Sequence, residues 1–265
     1  MKYFLVATLL FMAPVLQAQE DYSLYLHKEF TARDGKVIPY RILYPQSYNP
    51  SIKYPVVLFL HGAGERGSDN ASQLKHGAGI FMQENYRKKY PCFVIFPQCP
   101  VNDFWSSVKI DGQTSPATLD FDYSVSETES LSAAIAILKQ VMAEESVEKT
   151  RIYIIGLSMG GMGTFEAVYR YPELFASAMP ICGGGDAKRY DRNLNGIYFW
   201  VFHGDQDQSV DVKYSRDMVD RLKELKLDYL YSEYPGVKHN SWDNAFAEKE
   251  FIPWMFSHKR KVKSK

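Results

Sequence analysis

Cysteine is scarce in this chain, with three in 265 residues. Cys92 and Cys99 bracket the apolar run Phe93-Val94-Ile95-Phe96. Seven extended steps would hold them roughly 20 Å apart, beyond the ~7 Å a disulfide allows. The expectation is buried thiols, with a pair involving Cys182 left open. No Cys-x-x-Cys and no His-Glu-x-x-His occurs, so no metal and no cofactor are expected. An excess of one charge is also lacking. Thirty-one Lys and Arg balance 31 Asp and Glu, which argues against nucleic acid or an anionic surface as the main partner. There is no internal repeat, no low-complexity linker, and no apolar run of the ~20 residues that a membrane span needs.

The apolar start is shorter than such a span. Lys2 precedes a run from Tyr3 to Met12, and Pro14 to Ala18 lead to a polar Gln19-Glu20. This reads as a secretory signal over residues 1–18, cut after Ala18, although Leu16 is not the small residue the rule prefers. No cysteine lies near the cut, so no membrane anchor is expected. The mature chain would then be periplasmic or extracellular. Residues 19–258 suit a single large domain with a substantial core. Residues 259–265 form a basic tail whose plain reading is a frayed, solvated end.

Along that domain, His27 to Arg33 and Lys36 to Tyr44 are β-like runs joined by Asp34-Gly35, a strong hairpin signal. Val56 to Leu60 is continuously apolar, as a strand covered on both faces must be. Phe93 to Phe96, Ile152 to Ile155, Ala176 to Ile181 and Tyr198 to Phe202 share that character, and Tyr229 to Tyr234 reads as a last strand. Between them, Leu131, Ile135, Leu138 and Met142 recur at helical spacing after a capping box at Ser124 and Glu127. Met218, Leu222 and Leu225 repeat the spacing, and Glu248 to His258 reads as a closing helix. The prediction is an α/β fold: a mostly parallel sheet of about eight strands, helices on both faces, and an N-terminal antiparallel hairpin. Pro100 to Ser126 has little periodicity. A loop this long is expected at the rim of a site.

The strand Arg151 to Ile155 runs into Gly156-Leu157-Ser158-Met159-Gly160 and then a helical stretch. Strand, G-x-S-x-G, helix is the context of a nucleophile elbow, which holds a serine hydroxyl clear of a sheet at a helix N-terminus. A serine hydroxyl needs a base within hydrogen-bond reach, and the base needs a carboxylate. Both lie after later strands. His203-Gly204-Asp205-Gln206-Asp207 carries two candidate carboxylates, and Gly236-Val237-Lys238-His239 carries a histidine. Donors for an oxyanion are expected from the backbone amides of Met159 and of Ala63, the latter in the glycine-rich loop Leu60 to Gly67.

Leu60-His61-Gly62-Ala63-Gly64-Glu65-Arg66-Gly67, Pro97-Gln98-Cys99-Pro100, Gly156 to Gly161, Pro180 to Gly185 and His239-Asn240-Ser241-Trp242-Asp243 resemble the secreted esterase branch of the α/β-hydrolase superfamily. That branch is often labelled predicted peptidase. It sits near dienelactone hydrolases, prolyl oligopeptidase catalytic domains and feruloyl-type carbohydrate esterases. The resemblance runs from about His27 to Phe256. It implies an α/β-hydrolase fold, a catalytic set of Ser158, Asp207 and His239, and hydrolysis of carboxylic esters through an acyl-serine, with acetyl or feruloyl esters of plant polysaccharide as candidate substrates. The family pattern favours Asp207 over Asp205 as the acid. A peptidase and a non-catalytic binding protein on the same fold are the competing readings.

Other residues have a bland reading beside the functional one. His61 and His203 match structural His-Gly turns. Glu65 and Arg66 could bind an anionic group, but an ion pair or loop hydrogen bonds are favoured. Trp105 and Trp242 are the candidates for stacking on a substrate ring, with packing as the alternative.

Overall fold

The computed structural model describes residues 21–32 and 35–260. The signal read over residues 1–18, Asp34 of the first turn, and the last five residues of the basic tail lie outside them.

The described chain runs β1 (Tyr25–Thr31), β2 (Val37–Leu43), β3 (Tyr54–Leu60), α1 (Ala78–Met82), α2 (Glu84–Lys89), β4 (Phe93–Pro97), β5 (Val108–Asp111), β6 (Thr118–Phe121), α3 (Glu129–Glu144), β7 (Val147–Leu157), α4 (Met159–Arg170), β8 (Ser177–Ile181), β9 (Tyr198–Gly204), α5 (Lys213–Glu224), β10 (Tyr229–Tyr234), α6 (Trp242–Ala247) and α7 (Phe251–Ser257). Eight strands form one sheet in the order β1-β2-β4-β3-β7-β8-β9-β10. β1 pairs antiparallel with β2, and β2 antiparallel with β4. From β4 to β10 every pairing is parallel.

Alternate residues of the central strands feed two separate cores. Val56, Leu58, Leu60, Ile152 and Ile154 pack with Leu131, Phe165 and Met218 of α3, α4 and α5. Val57, Phe59, Tyr153 and Ile155 pack with Ala78, Ala245, Phe251 and Met255 of α1, α6 and α7. A strand with both faces covered has no polar side to show, which is why these runs are apolar without alternation. Burying each such side chain stabilises the sheet by about 1.5–3 kcal/mol.

Three local expectations need correction. The α3 cap is Thr128, whose hydroxyl accepts from the Leu131 amide at 3.2 Å, and not Ser124. Ser124 is held in a turn by Asp122, and Glu127 is engaged by the Tyr171 hydroxyl at 2.5 Å. The closing helix expected over Glu248 to His258 is α7, which starts three residues later, and a separate short helix, α6, stands before it where the sequence offered only the loop with His239. The stretch from Pro100 to Ser126 holds an antiparallel hairpin, β5 with β6. Of its eight strand residues only Leu119 is buried, so it carries too little apolar pattern to show in sequence. The hairpin leans on the start of α5 and on the loop before it: Leu119 N–H donates to the Tyr214 hydroxyl at 2.6 Å, and Ser115 Oγ donates to Gln208 O at 3.1 Å.

Candidate active site

Parallel strands place their carboxyl ends along one edge, which is where open α/β sheets build sites. Here β3, β7, β9 and β10 deliver to that edge the loop from His61 to Gly67, Ser158, Asp207 and His239.

Ser158 sits at φ 54°, ψ −117°, a positive φ that a side-chain-bearing residue adopts only under constraint. The constraint is steric. A Cβ on Gly156 would fall 2.1 Å from the Gly160 carbonyl oxygen, and one on Gly160 would fall 1.9 Å from the Leu60 carbonyl oxygen. The glycines of G-x-S-x-G therefore let β7, α4 and the loop after β3 touch backbone to backbone. Gly160→Ala is expected to lower stability by about 3 kcal/mol, at the upper end of overpacking costs. Gly64→Ala, whose Cβ would meet nothing within 4 Å, is expected to stay within about 0.5 kcal/mol. Urea unfolding of the two variants compares them directly, and equal midpoints would disprove the steric account.

His239 joins the other two residues. Its Nδ1 lies 2.7 Å from Asp207 Oδ2, and since a carboxylate only accepts, Nδ1–H donates. Its Nε2 lies 3.0 Å from Ser158 Oγ and is left to receive the hydroxyl proton. Asp207 Oδ1 accepts from the Ser209 and Val210 amides at 2.8 and 3.0 Å. Burial alone would raise the Asp207 carboxyl. Hydrogen bonds from His203, His239 and the Val210 amide outweigh it and hold the group well below the usual carboxylate range. Asp205 is elsewhere: its Oδ1 accepts from the Gly236 amide at 2.7 Å and shapes the loop that leads to His239.

Met159 follows Ser158 directly, and among the described residues neither the Ala63 nor the Met159 amide donates to a backbone acceptor. Arg66 pins the first of these loops by donating to the Ala63, Val101 and Asp103 carbonyls. It makes no pair with Glu65. The titratable group beside the Glu65 carboxylate is His76, whose Nε2 lies 3.6 Å from Oε1.

Trp105 does not stack on anything at the rim. It is 0% exposed, donates Nε1–H to the His61 carbonyl at 3.1 Å, and meets the His61 ring edge-on. The next residues explain why it points inward: Ser106 and Ser107 bind the buried Glu166 of α4 and draw the segment down onto that helix. Trp242 is partly exposed and sits edge-on to the His239 ring, 5.4 Å between centroids.

His61 and His203 are both structural, as their His-Gly settings suggest. His61 Nδ1 donates to Gly62 O, and its Nε2 accepts from the Cys99 amide. Burial lowers its pKa to about 4. His203 does more than turn the chain. Its Nε2 donates to the Val210 carbonyl at 3.0 Å and also lies 3.2 Å from Asp207 Oδ2, while its Nδ1 lies 2.7 Å from Ser215 Oγ, so the same carboxylate has a second imidazole against it. Sequence reading missed this. The four-residue spacing from His203 to Asp207 was the only available signal.

The three cysteines are free and buried. Among the described residues one set of metal-ligating side chains gathers: Cys182, Asp207 and His239, with ligand atoms within 4.8 Å. Asp207 and His239 are already joined donor to acceptor, and burial pushes the Cys182 thiol up. The set fits a hydrogen-bonded pair beside a neutral thiol better than a cation site.

The chain as a whole has counterparts among known proteins. Residues 51–253 match the phospholipase/carboxylesterase family. The chain belongs to that family. A solved thermostable esterase superposes on this phospholipase/carboxylesterase chain with a TM-score of 0.81 at 40% identity, covering 89% of this chain and 64% of that one. The poly(3-hydroxyalkanoate) depolymerase C of Paucimonas lemoignei is 27% identical over 180 residues, which are 67% of this chain and 39% of the depolymerase. A ferulic acid esterase from Anaeromyces mucronatus has a TM-score of 0.63 at 16% identity, covering 91% of this chain and 94% of its own, a likeness of fold. The chain thus spans less than two thirds of the depolymerase and of the thermostable esterase.

Proposed function

We propose that this protein is an exported serine hydrolase of carboxylic esters, with Ser158 as nucleophile, His239 as general base and Asp207 as the group that fixes His239. The observation that carries the reading is the unbroken line Ser158 Oγ–His239–Asp207 at a strained elbow. His239 Nε2 takes the Ser158 proton as Oγ bonds to the ester carbonyl carbon. The carbonyl oxygen becomes an oxyanion facing the Ala63 and Met159 amides. The alkoxide then leaves with the proton from His239, and an acyl-serine remains. Water, deprotonated by His239, attacks the acyl carbon and releases the acid, returning the proton to Ser158. The apolar segment from Tyr3 to Met12 supports export, and the feruloyl esterase among the structural neighbours makes acetyl and feruloyl esters of polysaccharide the first substrates to try.

Two experiments test this. Purified protein is offered p-nitrophenyl acyl esters, methyl ferulate, acetylated xylan and peptide anilides, and a fluorophosphonate probe is used to label the nucleophile. Ester turnover with labelling at Ser158 is expected. Faster cleavage of the anilides would favour a peptidase, and no labelling would favour a binding protein. The second is a pH profile. His239 must be neutral to act as base, while Asp207 stays ionised throughout the mildly acid range. Activity is therefore expected to fall on acidification through one group and not two. A loss that follows two protonations in the mildly acid range would put Asp207 outside the assigned role.

A further inference from the structure

Glu65 is out of place as a loop residue. It is 6% exposed, yet its carboxylate makes no hydrogen bond among the described residues. Its neighbour Arg66 makes three bonds to backbone, and the Glu65 main chain is tied by Gln98, so the loop does not depend on the carboxylate. The nearest group is His76 Nε2 at 3.6 Å, too far for a hydrogen bond. Its oxygens are not among the fully enclosed unpaired polar atoms, so the carboxylate keeps a narrow opening to solvent through which a donor can reach it.

Its position says what that could be. A Cβ built on Gly62 would lie 2.9 Å from Glu65 Oε2 and 3.7 Å from Ser158 Cβ, so carboxylate and nucleophile border the same point. On the other side, His76 lies 5.1 Å from the Trp242 ring, and Trp242 lies 5.4 Å from the His239 ring. Glu65, His76, Trp242 and His239 thus follow one another around one side of Ser158. With Glu65 Oε1 and His76 Nε2 only 3.6 Å apart, one hydroxyl lying beside the pair reaches both after a small side-chain adjustment, donating to the first and accepting from the second. Burial holds His76 below its ordinary pKa, which favours the neutral ring such a pairing uses. An aromatic face alongside completes a pattern suited to a hydroxylated carbon skeleton.

We propose that Glu65, His76 and Trp242 form a subsite beside Ser158 that binds a free hydroxyl on the alcohol half of the substrate, so that partly acylated polyols and sugars are preferred to simple alkyl esters. The proposal rests on the ester-hydrolase reading above. Glu65 accepts the hydroxyl proton without removing it, His76 donates to the same oxygen, and Trp242 covers the carbon next to it.

The test is a ratio, kcat/KM for 1-monoacetylglycerol over kcat/KM for ethyl acetate, which share an acyl group. Glu65→Leu is expected to lower this ratio about 10- to 100-fold, the worth of a hydrogen bond to a charged group, chiefly through KM. Glu65→Gln keeps an acceptor and should recover most of the ratio. His76→Leu should lower it independently, which guards against a folding defect in the loop variant. Fluorophosphonate labelling of each variant checks that the nucleophile is in place. An unchanged ratio in both Leu variants would overturn the subsite while leaving ester hydrolysis standing. A preference for acetylcholine over monoacetylglycerol that is lost in Glu65→Leu would make it a cation site and overturn the hydroxyl assignment. A wild-type protein that neither turns over p-nitrophenyl acetate nor takes the fluorophosphonate would sink the hydrolase reading itself.

Discussion

Ser158→Ala is expected to reduce kcat for p-nitrophenyl esters by about 10⁶-fold, the order of loss that a triad enzyme suffers without its nucleophile, and to leave the fold intact. Nothing structural depends on the hydroxyl. The elbow is held through backbone: Ser158 N–H donates to Ile181 O at 2.9 Å, and Ser158 O accepts from Met162 N–H at 3.0 Å. The glycine contacts that impose its positive φ are unchanged by the substitution. Removal of Oγ takes away the group that the proposed base would deprotonate and leaves the proposed oxyanion donors, the Ala63 and Met159 amides, untouched. Slow residual hydrolysis above the uncatalysed rate is therefore expected, together with complete loss of fluorophosphonate labelling. A variant with wild-type turnover would place the nucleophile elsewhere.

Asp207→Asn is expected to cost about 10⁴-fold in kcat, the effect of a wrong histidine tautomer in a comparable triad. Asp207 receives His239 Nδ1–H on Oδ2 and the Ser209 and Val210 amides on Oδ1. Those amides keep the carbonyl end of an asparagine on the Oδ1 side. Its NH₂ then faces His239 Nδ1 and His203 Nε2. With a donor there, Nδ1 becomes the acceptor and Nε2 carries the hydrogen, which points at Ser158 and can take no proton. Asp205→Asn loses only an acceptor for the Gly236 amide, and an amide oxygen can replace it. Less than about tenfold loss is expected there. Steady-state kinetics on both variants decides, and a larger loss in Asp205→Asn would reverse the assignment.

The middle of the sheet was readable because β3, β4, β8, β9 and the second half of β7 are buried on both faces and appear in sequence as apolar runs. The edges carry less apolar pattern: β1 is mostly exposed and was read as half of the first hairpin, and β10 is only partly buried. The β5–β6 hairpin was not readable, since its residues are mostly exposed and it is defined by what it leans on: Tyr214 and Gln208 are about a hundred residues further along the chain. The helix cap was misplaced by one turn because Ser124 and Thr128 both fit a local pattern, and only the contact with Tyr171 assigns Glu127 elsewhere.

The sequence by itself determined the elbow, because its requirement is local. A serine at positive φ between strand and helix needs glycine two residues on either side, and that spacing is visible without a fold. It also placed the candidate carboxylates and histidine after strands, hence at one edge of a parallel sheet. The tertiary structure alone decided which carboxylate turns toward His239, that His203 lies against it too, that Trp105 faces inward to His61, and that Glu65 sits buried beside His76 without a hydrogen bond to its carboxylate. Each of these depends on where a side chain points relative to a segment remote along the chain. Such directions are set by close packing between elements rather than by the residues nearby.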